Sequence, residues 1–459
     1  MVIPGTSLAG ALKAWLGSVQ APGGTALFSQ AALGKVFGHL EQRSQGGEVC
    51  RIRVDDAVAD PDVTLEIRDG VGIDRSTGAA AALVLYQHEV VPPGTTFTLR
   101  ITAEQTAEDT ERVAEALDLL VPALTQGRVE IGAARTRGLG AVRATGIERT
   151  RVDLRDRSQV LAWLCGQAVP VREPDPAADD VALADGRLGI EITWSAVTPV
   201  MVRASTVNEP DPDADRAVDT VPLRTVAPGK DGAARLLLPG SSIKGVIRSH
   251  AERITRTLQN IDELPEQWLD QVNDRRLGVV RVLFGTAGDH SADRESTEER
   301  PAAEDGTRDR GRRGALSVHD CLGTATAERV VTHVAIDRWT GGAAENLLFS
   351  VQEPAEAVWD PIRMSLEVGR AGEPDGDDAA QALALLLLVL RDLADGWLAF
   401  GFGGTRGRGS IKVSQIAFSG NGLQEPWSEL CGPTLADVIA DPPEGVRRAF
   451  ATWRESVTS

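Results

Sequence analysis

Four short signatures occur in the same order in both halves of the chain, and this repetition limits the architecture more than any other feature. Ile3-Pro4-Gly5-Thr6-Ser7-Leu8-Ala9-Gly10-Ala11-Leu12-Lys13 returns as Leu238-Pro239-Gly240-Ser241-Ser242-Ile243-Lys244-Gly245-Val246-Ile247-Arg248. Val36-Phe37-Gly38 returns as Leu283-Phe284-Gly285, and Gly72-Ile73-Asp74-Arg75-Ser76-Thr77-Gly78 as Ala335-Ile336-Asp337-Arg338-Trp339-Thr340-Gly341. Gly132-Ala133-Ala134-Arg135-Thr136-Arg137-Gly138-Leu139-Gly140 returns as Gly401-Phe402-Gly403-Gly404-Thr405-Arg406-Gly407-Arg408-Gly409. Such a series indicates an internal duplication, so whatever one half folds into, the other half folds into as well.

The Pro-Gly signature reads as a strand, a tight turn and a helix. Leu236–Leu238 is an apolar run that ends at Pro239-Gly240, and Ser241 or Ser242 is placed to cap a helix. Ile243, Val246, Ile247, Ala251 and Ile254 form one apolar stripe at helical spacing. Lys244 and Arg248 lie one turn apart on another face, beside a helix start whose amides suit a phosphate. The plainer reading is a strand–turn–helix unit with a solvated basic face. The glycine loop at Thr405-Arg406-Gly407-Arg408-Gly409 sets two guanidinium forks where backbone can approach a phosphate closely. It has neither a Walker GxxxxGK[ST] pattern nor a dinucleotide GxGxxG after a strand.

These residues resemble the RAMP superfamily, and more narrowly the backbone subunits of type III CRISPR–Cas effector complexes. The resemblance rests on Pro-Gly-Ser-Ser-Ile-Lys-Gly at 239–245 and Gly-Gly-Thr-Arg-Gly-Arg-Gly at 403–409, each with its counterpart in the first half. It implies an α+β fold of two fused ferredoxin-like domains, each β-α-β-β-α-β, that bind guide RNA and pair it with target RNA. It also implies other effector subunits as partners and, in many members, metal-dependent endoribonuclease cleavage of the target. The family carries an aspartate between the first strand and the Pro-Gly turn; Asp219 best matches that position, ahead of Asp211, Asp213 and Asp215. A carboxylate there acts as a base or holds Mg²⁺ or Mn²⁺ near the scissile phosphate. A solvated acidic loop is the alternative. The expected RNA contacts are Lys244, Arg248, Arg406, Arg408, Arg135 and Arg137, with Trp339 stacking on a base. A β-hairpin "thumb" near the Asp-Arg turn is a family feature; a plain surface hairpin is the other reading.

The chain divides accordingly into residues 1–150, a first copy lacking the counterpart of the second copy's first strand, Leu188–Val197; 151–187, a helix capped by Asp153 and an acidic linker; 188–420, the second copy; and 421–459, a tail. A shortened reading frame, a strand supplied by a partner or a trimmed copy would each account for the missing first strand. An insertion at 286–313, rich in Asp, Glu, Arg and Gly, is expected to be mobile.

Composition sets limits. The 459 residues suffice for two cores. A net charge of −18 argues against nucleic-acid binding when taken as a sum. Acid gathers at Glu104–Asp118, Glu173–Asp185, Glu209–Asp219 and Glu373–Asp378, whereas the arginines sit apart in the glycine loops. Screening over roughly 8 Å at physiological salt lets local sign outrank the sum. Cys50, Cys165, Cys321 and Cys431 are scattered, with no CxxC spacing, so reduced thiols and a cytoplasmic location are expected. No apolar run reaches the roughly 18 residues of a membrane span. His39, His88, His250 and His319 stand singly and read as structural, which disfavours a histidine-based processing nuclease. The rival function is a non-catalytic subunit that caps or bridges the complex through protein contacts; the acidic surface and the missing strand favour it.

Overall fold

A computed structural model describes residues 1–20, 26–40, 47–59, 63–106, 109–167, 172–173, 184–204, 218–226, 234–288, 311–372 and 377–458. Asp211, Asp213, Asp215, most of the linker and most of the 286–313 insertion lie outside the described residues. The chain forms two compact units. The first comprises Met1–Val58, Phe97–Arg135 and Gly140–Asp185; the second comprises Ala59–Thr96, Thr136–Leu139 and Gly186–Ser459.

The first unit is built from helices α1 (Gly5–Leu16), α2 (Gln30–Phe37), α3 (Thr110–Thr125) and α4 (Arg157–Leu164) and short antiparallel strands. Ile52–Val54 pairs with Ile101–Ala103, and Val2–Ile3 with Ala57–Ala59. Asp55 and Asp56 separate the strands Ile52–Val54 and Ala57–Ala59. Leu12, Trp15, Leu16, Leu33, Val113 and Leu120 close a small core. Asp156 rather than Asp153 caps α4, accepting the Ser158 amide, so this helix starts one turn later than expected.

The second unit contains the duplicated fold in full. Its strands are β1 (Glu66–Ile73) and β2 (Ala80–Val90), which form hairpin 1, then β3 (Arg187–Ala196), β4 (Arg224–Val226), β5 (Ala234–Leu238), β6 (Leu316–Val318), β7 (Cys321–Ile336), β8 (Ala343–Trp359), β9 (Ile362–Glu367) and β10 (Ile411–Ser419). Its helices include α5 (Gly240–Leu258), α6 (Trp268–Val272), α7 (Gly278–Phe284), α8 (Asp377–Ala394) and α9 (Glu444–Thr458). The antiparallel sheet β6-β9-β3-β10 carries α5 after its first strand and α8 after its third, which is the ferredoxin-like order. The fold is α+β, as expected. Strand β3 alternates Leu188, Ile190, Ile192 and Trp194 inward, and these side chains meet α5 and α8 in one core. The tail belongs to this core: Trp427, Leu435, Val446 and Trp453 pack into it. A second sheet, β4-β5-β7-β8, extends into hairpin 2, formed by β7 and β8.

Hairpin 1 belongs to the first copy in sequence but packs on the body of the second unit. Arg68, 8% exposed, reaches Asp320 at 2.5 Å and Glu66 at 3.3 Å. At the tip, Arg75 donates to Glu252 at 2.6 Å, and Gln271 exchanges hydrogen bonds with the Arg75 amide and the Asp74 carboxylate. Gly72 lies against the Trp268 indole, 2.6 Å from where a Cβ would stand. Buried charge pairs of this kind cost about 3–5 kcal/mol when one partner is removed. Glu66 also accepts the Thr225 hydroxyl at 2.7 Å and the Val226 amide at 3.2 Å.

Gly72→Ala should therefore loosen the hairpin by about 1–3 kcal/mol, the usual cost of overpacking. Limited proteolysis should then cut within 63–96 faster, and adding Trp268→Ala should restore part of the protection, since the Val84 side chain also lies 2.6 Å from the Cβ position. An unchanged cleavage rate in Gly72→Ala would show that the indole contact does not hold the hairpin.

Candidate nucleic-acid interface

The Pro-Gly turn is organised by an aspartate that the sequence motif does not contain. The Gly240 amide at the start of α5 donates to Asp320 Oδ1 at 2.8 Å, and the Gly5 amide at the start of α1 donates to Asp56 Oδ1 at 2.7 Å. In both copies glycine is required by close backbone approach: a Cβ would lie 2.2 Å from the Val318 oxygen at Gly240 and 2.2 Å from the Val54 oxygen at Gly5. Neither Ser241 nor Ser242 caps the helix; Pro239 takes the cap position and Asp320 supplies the carboxylate. The helix start expected to receive a phosphate already holds an anion.

Three of the expected RNA contacts are engaged inside the fold. Lys244 is 6% exposed, and its Nζ donates to the Leu316 carbonyl at 2.7 Å. Burial, with Arg248, Arg137 and Arg313 nearby, lowers its pKa to about 7. Arg248 donates to Glu252 at 2.8 Å and to the Val272 carbonyl at 2.6 Å. Arg408 is 6% exposed and donates to Glu353 at 2.6 Å and to His333 Nε2 at 3.0 Å, which makes that ring nitrogen an acceptor. Arg135, in the first unit, is half-buried and directed to the Glu130 carbonyl at 3.5 Å.

One construction recurs in both copies, with Arg137, Arg406 and Tyr86 exposed and Phe349 half-buried. Tyr86 and Phe349 each stand twelve residues after the turn aspartate of their hairpin, Asp74 or Asp337. Each is approached by the first exposed arginine of the matching glycine loop. Arg137 donates to the Tyr86 hydroxyl at 3.2 Å, and the Arg406 guanidinium lies over Phe349 at 6.0 Å and Phe402 at 5.4 Å. The residue paired across the hairpin supports the ring. The Tyr86 ring lies over Gly70, 2.3 Å from where a Cβ would stand, and His333 stacks on Phe349 with ring centroids 5.2 Å apart. Arg408 thus acts from behind, orienting His333 under Phe349 while Glu353 fixes Arg408. Each station offers an aromatic face and a cation, the pair of features that single-stranded nucleic acid uses. The sequence motifs located the arginines but missed the aromatics, Asp56, Asp320 and Glu353. Alignment of the repeats contains Tyr86 and Phe349, since their spacing from the turn is equal.

Asp219 lies along the free edge of β8. Its Oδ2 accepts the Ser350 amide at 2.7 Å and the Ser350 hydroxyl at 3.0 Å, while Thr220 bridges Val351. The Ser350 amide and then its hydroxyl hold the exposed carboxyl below the usual carboxylate range. Such a group is a weak base but a permanent anion. Ser350 follows Phe349, so Asp219 and the Arg406–Phe349 station meet adjacent residues of one strand, whose side chains point to opposite faces. No group of three metal-ligating side chains occurs among the described residues. A lone carboxylate with one unengaged oxygen suits Mg²⁺, which binds through one or two carboxylates, waters and substrate phosphates. Trp339 sits at the tip of hairpin 2 and is 96% exposed.

Lys244 makes a measurable signature of its interior position. Because the folded chain holds this proton less tightly than the unfolded chain, stability rises with pH from about 7 toward the ordinary lysine value of 10.5. Thermal melts across that window should show a smaller rise for Lys244→Met than for the unaltered chain. Equal slopes would place the lysine in solvent.

Comparison with known proteins agrees with this geometry. No curated protein matches the chain. A family model for the RAMP superfamily matches residues 1–143 and 225–412, two stretches that contain the paired signatures and both stations. No helix among the described residues is long and apolar enough to cross a membrane. With the model covering most of the chain in two separate stretches, this protein belongs to the RAMP superfamily and carries its domain twice.

Proposed function

We propose that the chain is a guide-RNA-binding backbone subunit of a type III-like CRISPR effector complex, holding RNA at two equivalent stations and supporting target-RNA cleavage at one position. The observation that carries this reading is the repeated pairing of an exposed loop arginine with a hairpin aromatic: Arg137 with Tyr86, and Arg406 with Phe349. Bases stack on the rings while the guanidinium groups meet phosphates. Trp339 extends the second station at the hairpin tip. Lys244, Arg248 and Arg408 serve the interface from within by fixing α5 and the glycine loop. RAMP membership supports RNA binding and association with other CRISPR subunits; the type III assignment and the cleavage are the proposal.

Asp219 is the residue proposed for cleavage. Its low pKa disfavours a role as general base and favours one as a fixed anion beside the scissile phosphate. A divalent ion held there with RNA phosphates would supply charge stabilisation to the departing and attacking oxygens. Ser350 orients the carboxylate, and Thr220 ties its segment to β8. The architectural alternative draws its support from the internal engagement of Lys244 and Arg408, and it differs in predicting no cleavage.

Two substitutions separate binding from cutting. Arg406→Ala should weaken RNA binding several-fold and reduce the salt slope of log K by about one counterion. Asp219→Ala should leave guide and target affinity unchanged and abolish cutting in a gel assay with Mg²⁺ or Mn²⁺. Full cleavage by Asp219→Ala would move the site elsewhere; no cleavage by the intact complex would leave the architectural reading standing.

A further inference from the structure

The two copies place their core strands alike, but one strand edge that is covered in the second copy is uncovered in the first. Val54 and Val318 are equivalent, since each carbonyl oxygen lies 2.2 Å from the Cβ position of its Pro-Gly glycine. Val54 pairs with Ile101 and Val318 with Met364, while Ile52 pairs with Ala103 and Leu316 with Leu366. Ile101 and Ala103 therefore stand where Met364 and Leu366 stand. In the second copy the far edge of β9 carries β3, in the register Ile190↔Met364 and Leu188↔Leu366. In the first copy no described strand pairs with that edge. The Glu104 amide donates to the Arg51 carbonyl and the Asp55 amide to the Arg100 carbonyl. Alternation then turns the backbone groups of Ile101 and Ala103 toward the uncovered side. Met364 and Leu366 are 2% and 0% exposed, whereas Ile101 and Ala103 are only half-buried. The opposite wall differs in the same way. The Ile131 amide meets the Gly140 carbonyl as the Phe400 amide meets that of Gly409. Beyond this shared bond, Ile411–Ser419 runs on as a ladder with β3, and residues 142–148 form no ladder.

We propose that a different protein chain lends a β-strand to the first copy, antiparallel to Ile101–Ala103, with alternate apolar side chains entering the core of the first unit. This surface is separate from the RNA stations and does not depend on them. Strand β3 shows the chemistry required of the donor, with Leu188, Ile190, Ile192 and Trp194 buried and Glu191, Thr193 and Ser195 exposed. The first core is ready for such a strand, because Val54, Leu117 and Leu124 pack against it and yet stay half-buried. Main-chain bonds to a free edge supply affinity, and alternate side chains supply specificity. A second copy of this chain is a poor donor. Its β3 is paired along both edges, with β9 and β10, and withdrawing it would open the larger core.

Amide hydrogen exchange of the full chain, freed of RNA by nuclease, tests this with a synthetic peptide of residues 187–196 as the donor strand. In the chain alone, the Ile101 and Ala103 amides should exchange about tenfold or more faster than those of Met364 and Leu366. Saturating peptide should slow Ile101 and Ala103 about fivefold or more, and a peptide carrying Ile190→Asp and Ile192→Asp should not. Ile101→Pro should abolish the effect of the peptide at Ala103. The amide it removes faces away from Ile52–Val54, so the existing ladder keeps its bonds. Slow exchange at both amides in the chain alone would overturn the proposal, because the chain's own residues would then hold that edge. So would a peptide without effect, or equal effects from the two peptides. RNA affinity, measured on separate samples, reports on the RNA-binding reading alone.

Discussion

The carboxylate of Asp320 joins the start of α5 to hairpin 1 within the second unit. One oxygen receives the Gly240 amide, which starts α5, and the other receives Arg68 from hairpin 1. Burial pushes this carboxyl up, and the Arg68 charge and the Gly240 amide oppose that shift. An anion at a helix N-terminus is favourable in itself. Here it also couples the duplicated motif to the hairpin that precedes it by more than a hundred residues. Glycine at 240 follows from the same crowding, because the Val318 carbonyl occupies the space of a side chain. The Pro-Gly motif is therefore a packing signature first, and its bearing on RNA comes through what it positions.

That distinction explains which parts of the protein were legible in the sequence. Order and spacing revealed the duplication and the helix at 240–258, since each depends on local pattern, and the α+β class came with the family resemblance. The inward set Ile243, Ile247 and Ala251 falls where the periodicity put it. Lys244 and Arg248 could not be placed this way. Helix α5 buries a wider arc than its apolar stripe, with Lys244, Glu252 and Arg256 inside it as well. The partners of Lys244, Arg248 and Arg256, namely the Leu316 carbonyl, the Val272 carbonyl and Asp274, lie far along the chain or on other elements. Arg408 follows a glycine at φ 77°, a left-handed residue that turns the chain back, so it points inward while Arg406 two residues earlier stays out. Alternation of a basic loop carries no sign of that reversal.

The compact units also differ from the sequence copies. Hairpin 1 is contiguous with the first copy, yet its burial lies on the second unit, through Arg68 and Gly72. A duplicated chain can satisfy one copy's hairpin with the other copy's body, because the two were built to the same plan. The acidic total is compatible with RNA contact for a related reason. Much of the acid in the ordered core is paired with arginine, as in Glu252, Glu353 and Asp274, leaving Arg137 and Arg406 exposed beside aromatic rings.

The central claim is that RNA lies on both aromatic–arginine stations. Ultraviolet crosslinking of the chain with its guide RNA, followed by peptide mapping, tests it most directly. The account predicts crosslinked nucleotides on the peptides that contain Tyr86 and Phe349, separated along the RNA by a constant interval. Crosslinks confined to other surfaces, or to one copy alone, would contradict it.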